Sequence, residues 1–183
     1  MSYYSENAES YIESTLGSDM KEAYAFFLPR LPSKAKILDV GFGSGRDMLY
    51  FKSLGHSVKG IDSEEAFIRH ASSLGLEVEQ ADIRDYADES RYDGIWACAS
   101  LLHLHKEELE GAIEKLLFFL TPSGILYISM KKGEGEILDE KGRVMLFANR
   151  DTFRKYNVLD YLETVEKGRD ITWVNVLLSA NPQ

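Results

Sequence analysis

Ile37-Leu38-Asp39-Val40-Gly41-Phe42-Gly43-Ser44-Gly45-Arg46-Asp47 is the stretch that decides the fold. A short run of strand-forming residues turns at three glycines spaced one apart, and helical periodicity follows. A strand that ends in such a turn brings backbone N–H groups and a helix N-terminus to one place, where a nucleotide-like ligand binds. Glycine at 41 and 43 keeps Cβ atoms out of that approach. Twenty-one positions beyond Gly41, Asp62 follows a second strand-like run, Val58-Lys59-Gly60-Ile61. A carboxylate at that distance takes both hydroxyls of a ribose. Asp62 and Glu65 also have the spacing of a helix capping box, with Ser63 as an alternative cap. The two roles are compatible.

Two ligands compete for this reading. The dinucleotide pattern G-x-G-x-x-G, laid on Gly41 and Gly43, needs a third glycine at position 46, which is Arg46. That counts against a NAD-dependent oxidoreductase. The G-x-G-x-G actually present, preceded by Asp39, resembles the first motif of the class I S-adenosylmethionine (SAM)-dependent methyltransferases. Glycines also make ordinary turns, so the motif gains its weight from the strand, helix and later acid around it.

The 183 residues suit one domain with a sizeable core. Hydrophobic residues at 44% and charged residues at 28% are globular values. No apolar run is long enough to span a bilayer, and no basic-then-apolar leader opens the chain. A single cysteine, Cys98, forms no internal disulfide, so the cytoplasm is the expected compartment. Lysine and arginine number 21 against 30 acids, a net charge of −9, which disfavours a nucleic-acid partner.

Tyr4, Ala8, Tyr11 and Ile12 share one helical face, as do Met20, Ala23, Tyr24, Phe27 and Leu28 in a second segment. Residues 1–32 therefore read as an N-terminal helical cap, or lid, on a core of residues 33–183. Within the core, strands are predicted near 36–40, 57–61, 76–80, 93–98 and 125–130, with helices near 45–54 and 64–73. Leu109, Ala112, Ile113, Leu116, Leu117 and Leu120 recur with helical spacing, and Pro122-Ser123-Gly124 ends that helix. Lys131 to Arg143 reads as a long polar loop, and a short helix is predicted near Asp151–Tyr156. Val158–Glu166 and Ile171–Leu178 flank Lys167-Gly168-Arg169-Asp170 as an antiparallel hairpin. Alternating strands and helices imply an α/β fold, a doubly wound and mostly parallel sheet covered on both faces.

Further motifs carry the methyltransferase resemblance. In Gln80-Ala81-Asp82-Ile83-Arg84-Asp85-Tyr86, Asp82 and Ile83 resemble the family position that meets adenine; an acidic surface turn is the plain alternative. Tyr92 to His103 resembles the fourth motif of the small-molecule methyltransferases, with the strand end at Cys98 against the methionine of SAM. Cys98 lacks the flanking proline of a nucleophilic cysteine and reads as an inert thiol. The resemblance extends over nearly the whole chain to a bacterial group of small SAM-dependent methyltransferases often labelled tellurite-resistance-related. It includes Tyr3-Tyr4-x₃-Ala8-x₂-Tyr11, Gly43-Ser44-Gly45-Arg46-Asp47, Trp96 to His103, and Lys132-Gly133-Glu134-Gly135-Glu136 followed by Gly142-Arg143.

The resemblance implies a seven-stranded Rossmann-like methyltransferase sheet ending in the antiparallel hairpin. It implies SAM as cofactor, S-adenosylhomocysteine as product, and a small-molecule acceptor, for instance a thiol, a metalloid oxyanion or a small metabolite. It assigns Asp39, Gly41, Phe42 (by its backbone), Gly43, Gly45, Asp62, Ser63, Asp82, Ile83 and Cys98 to the cofactor side. For an oxygen or nitrogen acceptor His103 is the candidate general base, against a structural role. Tyr4 and Tyr11 are candidates to close over the site, against simple packing, and Lys131 and Arg143 are candidates for an anionic acceptor. His103 and His105 have no third ligand at a supporting spacing, so no metal is expected. A SAM-binding protein without turnover is the alternative.

Overall fold

The computed structural model describes residues 3–166 and 168–180. Lys167 of the predicted hairpin turn, Pro182 and the two ends of the sequence lie outside the described residues. Helices α1 (Tyr3–Leu16) and α2 (Lys21–Phe27) precede the core. It then runs β1 (Lys36–Val40), α3 (Arg46–Ser53), β2 (Ser57–Asp62), α4 (Glu65–Ser73), β3 (Glu77–Gln80), β4 (Tyr92–Cys98), α5 (Lys106–Phe118) and β5 (Leu120–Lys131). Strands β6 (Glu136–Leu138), β7 (Val144–Leu146), β8 (Val158–Val165) and β9 (Thr172–Ser179) follow. Seven strands form one sheet in the order β3-β2-β1-β4-β5-β9-β8. β1 to β5 pair parallel; β9 pairs antiparallel with both β5 and β8.

Both faces of the central strands are covered, and the period of two shows why. Leu38, Ile95, Ala97, Leu126 and Ile128 pack with Leu109, Ile113 and Leu116 of α5 on one face. Ile37, Trp96, Ile125 and Tyr127 face the other way and pack with Phe27, Met48, Phe51 and Phe67. Trp96 is fully buried and stacks on Tyr127 at 4.0 Å between ring centroids. Burial of each such side chain stabilises the fold by about 1.5–3 kcal/mol.

Arg46, in the place of a third dinucleotide glycine, has a structural use here. Its Nε and Nη2 donate to the Asp47 carboxylate at 2.7 and 2.9 Å, and its Nη1 donates to the Thr15 carbonyl of α1 at 3.1 Å. The Tyr24 hydroxyl (2.5 Å) and the Trp96 indole N–H (2.9 Å) donate to the same carboxylate. One buried acid thus ties α1, α2, α3 and β4 together.

Several local expectations are corrected. Lys131 to Arg143 is not a plain loop: β6 and β7 pair as a separate two-stranded antiparallel sheet. Its polar, glycine-rich composition masks strands of only three residues, too short to show an alternation. α5 stops at Phe118, and Leu120 opens β5 instead of closing the helix. Pro122 lies inside β5, where the pairing with β4 shifts between Tyr92 and Gly94, so a residue without an N–H sits at an irregularity. The predicted helix at 151–156 is one 3₁₀ turn, Arg150–Phe153, capped by the Asn149 side chain. Among the described residues no helix is long and apolar enough to cross a membrane.

Candidate functional site

β1 lies between β2 and β4, and the chain leaves β1 toward opposite sides of the sheet to reach them. The carboxyl end of β1 is therefore the switch point where open α/β sheets form a crevice. Three segments meet there: the glycine turn after β1, residues 62–64 after β2, and residues 99–103 after β4.

The glycine turn is fixed by its surroundings. Gly41 and Gly43 have φ of +71° and +54°. A Cβ on Gly41 would lie 2.5 Å from Cβ of Ser100, and one on Gly43 would lie 3.1 Å from the Tyr11 ring. The Gly41 N–H donates to the Ile61 carbonyl at 2.8 Å, extending the β1–β2 ladder into the turn. The Gly43 N–H donates to Oδ2 of Asp62 at 3.0 Å.

Asp62 does not form the expected capping box. The N-cap of α4 is Glu64, without a side-chain cap, and Oδ1 of Asp62 accepts from the Glu64 N–H at 3.0 Å. The carboxylate therefore clamps the glycine turn to the start of α4. Burial raises its pKa, against the lowering effect of the Glu64 and Gly43 N–H groups.

A cavity of about 420 Å³ opens over these segments. Asp62, Ser63, Glu64, Asp82 and Ile83 line it from the β2–β3 side, and Gly41, Gly43 and Ser100 line it at the switch point. His103, Lys141, Arg143 and Val144 line it from the β4 exit and the β6–β7 hairpin. The acids Asp62, Glu64 and Asp82 come from one side, with Arg84 against Asp82, and Lys141 and Arg143 come from the other. Arg84 grips Asp82 through Nε and Nη2, and those bonds hold the Asp82 carboxyl below its usual range.

The cation side is hydrogen-bonded throughout. Oδ2 of Asp139 accepts from Nε and Nη2 of Arg143 at 2.9 and 2.7 Å. Arg143 Nη1 lies 2.8 Å from the Tyr4 oxygen, the Tyr4 hydroxyl lies 2.8 Å from Nε2 of His103, and His103 Nδ1 lies 2.9 Å from the Val144 carbonyl. Burial lowers the His103 pKa. Nδ1 of His105 meets Glu136 instead, at 3.1 Å, so the two histidines serve different partners. Among the described residues no three His, Cys, Asp or Glu side chains group as a metal site.

The cavity wall gathers nine of the residues singled out in the sequence. They are Tyr4, Gly41, Gly43, Asp62, Ser63, Asp82, Ile83, His103 and Arg143. Others lie off the wall. Phe42 turns into the core beside Met48; its side chain would lie 2.7 Å from a Cβ on Gly60. Gly45 caps α3 with φ +74°. Tyr11 packs on Phe67 at 5.4 Å. Lys131 ends β5 opposite Trp173. Cys98 is half-buried as a residue, and burial of its thiol, with the Asp47 charge, pushes it up to about 12 against a hydrogen bond from Ser129. Asp39 is buried, its pKa raised by burial and then by the Asp47 charge, and its Oδ2 has no hydrogen-bond partner among the described residues. Oγ of Ser100 is likewise unpartnered.

Sequence reasoning missed Glu64, Phe67, Ser100 and Lys141 on the wall. Ser100 was within reach, inside the quoted Trp96–His103 motif. Lys141 carried no signal, because the hairpin that delivers it was read as loop.

Residues 37–124, just under half of the chain, match the family described as a methyltransferase domain. An uncharacterized methyltransferase of Staphylococcus carnosus (strain TM300) is 28% identical over 144 residues, 77% of this chain and 68% of that protein. Among solved structures, Burkholderia thailandensis 1,6-didemethyltoxoflavin-N1-methyltransferase, with 1,6-didemethyltoxoflavin and S-adenosylhomocysteine bound, superposes with a TM-score of 0.78. It is 21% identical, covering 95% of this chain and 85% of that one. The glycopeptide N-methyltransferase MtfA with S-adenosylhomocysteine gives a TM-score of 0.69 at 16% identity, covering 88% and 91%. The fold is that of the Rossmann-like methyltransferases. The residues that match the methyltransferase domain, 37–124, include the glycine turn and the strands around it.

Proposed function

We propose that the cavity holds SAM along the carboxyl ends of β1, β2 and β4 and passes its methyl group to a small acceptor on the His103–Arg143 side. The observation that carries this reading is the unpartnered buried Oγ of Ser100 on the cavity wall, beside a turn whose glycines admit a ligand backbone-close. Buried polar atoms are normally paired, so an orphan on the wall calls for a partner from a ligand. Asp62 and Ser63 then face the ribose, Asp82 and Ile83 the adenine, and Gly41, Gly43 and Gly45 with the Phe42 backbone the methionine end, near Asp39 and Cys98.

Bound SAM supplies an electrophilic sulfonium methyl. The protein's part is to align the acceptor, exclude water and leave the acceptor lone pair free of a proton. Both of the structural neighbours described above are N-methyltransferases, which favours a nitrogen acceptor; hydroxyls, thiols and metalloid oxyanions, tellurite included, are the others to assay. Methyl transfer from labelled SAM across such a panel tests the reading. S-adenosylhomocysteine binding without turnover of any acceptor would favour the SAM-binding alternative.

Asp62→Ala is expected to weaken S-adenosylhomocysteine binding by about 1.5–3 kcal/mol, the range for hydrogen bonds to a charged group. Calorimetry on the folded variant measures it. An unchanged dissociation constant would leave Asp62 only its clamp on Gly43 and Glu64.

The N-terminal segment is proposed to act as a lid. α1 has a non-helical residue, Asn7 (φ −124°, ψ 20°), between Tyr4 on the cavity wall and Tyr11 on the glycine turn. Hydrogen exchange through Tyr11 should slow when S-adenosylhomocysteine binds, and deleting residues 1–12 should cost turnover more than affinity. Full protection without ligand would contradict the lid.

A further inference from the structure

We propose that Tyr4 and His103 form a proton relay for the methyl acceptor, and that the acceptor is accordingly a neutral hydroxyl or ring N–H group. The inference rests on the methyltransferase reading of this cavity and deepens it. A backbone carbonyl only accepts, so the 2.9 Å contact with Val144 requires the hydrogen on Nδ1 of His103. In the neutral ring Nε2 is then an acceptor, and the Tyr4 hydroxyl donates to it at 2.8 Å. Arg143 Nη1 donates to the Tyr4 oxygen at 2.8 Å, and Asp139 fixes that guanidinium in a two-point grip. Every hydrogen in the chain points the same way, from Arg143 through Tyr4 to His103. Tyr4, His103, Arg143 and Val144 all line the cavity.

A phenol in this position stands between an acceptor and a base. As the acceptor atom bonds to the methyl carbon, the S–C bond breaks and its electron pair goes to sulfur. The hydrogen on the acceptor atom becomes acidic at the same time. It passes to the Tyr4 oxygen while the Tyr4 hydrogen passes to Nε2 of His103, so Tyr4 ends neutral and His103 ends as imidazolium. The Val144 carbonyl keeps Nδ1–H throughout, and water finally takes the extra proton. Arg143 stabilises negative charge building on the phenol oxygen during the double transfer. A thiol, which ionises near 8.5, or an oxyanion presents its lone pair without this help.

The groups around His103 suit a base. Burial lowers its pKa, the Val144 bond opposes that, Arg143 and Lys131 add to the lowering, and Asp139 works against them. His103 is therefore unprotonated at neutral pH, the state in which a base must start.

The test compares the full-length wild type with Tyr4→Phe, His103→Gln and the double variant. It uses ¹⁵N NMR of the histidines, S-adenosylhomocysteine calorimetry, and methyl transfer to phenol, benzimidazole, 2-mercaptoethanol and tellurite. His103 should be the Nδ1–H form at neutral pH, with an Nε2 signal that moves in Tyr4→Phe. Turnover of phenol or benzimidazole should fall about 10²-fold or more in either single variant, in kcat and not in KM. The double variant should be no worse than the singles, because the pair acts as a unit. S-adenosylhomocysteine affinity should stay within about twofold. A wild type that binds no S-adenosylhomocysteine sinks the underlying reading and the relay with it. Bound S-adenosylhomocysteine sinks the relay alone if Tyr4→Phe keeps full turnover, if His103 is the Nε2–H form, or if phenol and benzimidazole are not methylated.

Discussion

Asp47→Ala is expected to cost about 3–5 kcal/mol of stability, the range for removing one partner of a buried ion pair. Its side chain is 9% exposed and accepts from three others: Arg46, Tyr24 and Trp96. Alanine leaves a half-buried guanidinium without its carboxylate, and a hydroxyl and an indole N–H without an acceptor. Each orphaned donor adds about 1–3 kcal/mol, so the three do not sum independently but set the loss at the high end. Urea unfolding should show a lower midpoint at an unchanged slope. Asp47→Asn, which keeps an acceptor but not the charge, should fall between the two. A loss below about 1 kcal/mol for the alanine variant would mean that water replaces the carboxylate and that the node is dispensable. Because Arg46 also holds the Thr15 carbonyl, α1 should loosen first, visible as faster hydrogen exchange at its C-terminal end.

Gly41→Val is expected to abolish S-adenosylhomocysteine binding. The position has φ +71°, where a β-branched residue is strained by about 1–3 kcal/mol, and its Cβ would lie 2.5 Å from Cβ of Ser100. The β4 exit must move aside, and with it the wall on which the cofactor is proposed to lie. Gly43→Val is the companion variant. It has φ +54°, and its Cβ meets the Tyr11 ring at 3.1 Å, so it should push α1 off the turn as well as crowd the ligand. Calorimetry with circular dichroism as the fold control separates lost binding from lost structure. Wild-type affinity in a folded Gly41→Val would show that the glycine turn serves only the chain's own packing.

Much of the cofactor half of the site was legible because its determinants are local. A turn with three left-handed residues in five favours glycine at each of them, and Asp62 falls one helix and one strand later. The central strands were legible for a related reason. Ile37, Trp96 and Tyr127 on one face, and Leu38, Ile95 and Leu126 on the other, leave no polar face to confuse the reading. The capping box at Asp62 failed because two N–H groups compete for one carboxylate, and the Gly43 donor is 19 residues away in sequence. The hairpin at 136–146 failed because its strands are short and owe their pairing to contacts with the rest of the fold, among them His103 with Val144.

The sequence by itself determined the strand–turn–helix at Ile37–Asp47, the alternation that builds a parallel sheet, and the antiparallel ending. Steric exclusion at glycine and the two-residue period act over a few positions, so they are written where they operate. Only the tertiary structure decided that Tyr4 meets His103, 99 residues away, and that Arg143 reaches Tyr4 across 139. It also decided that Asp47 serves Trp96 across 49 residues. A polar side chain takes its partner from whatever the folded chain brings within about 3 Å, and that depends on the packing of every element between them.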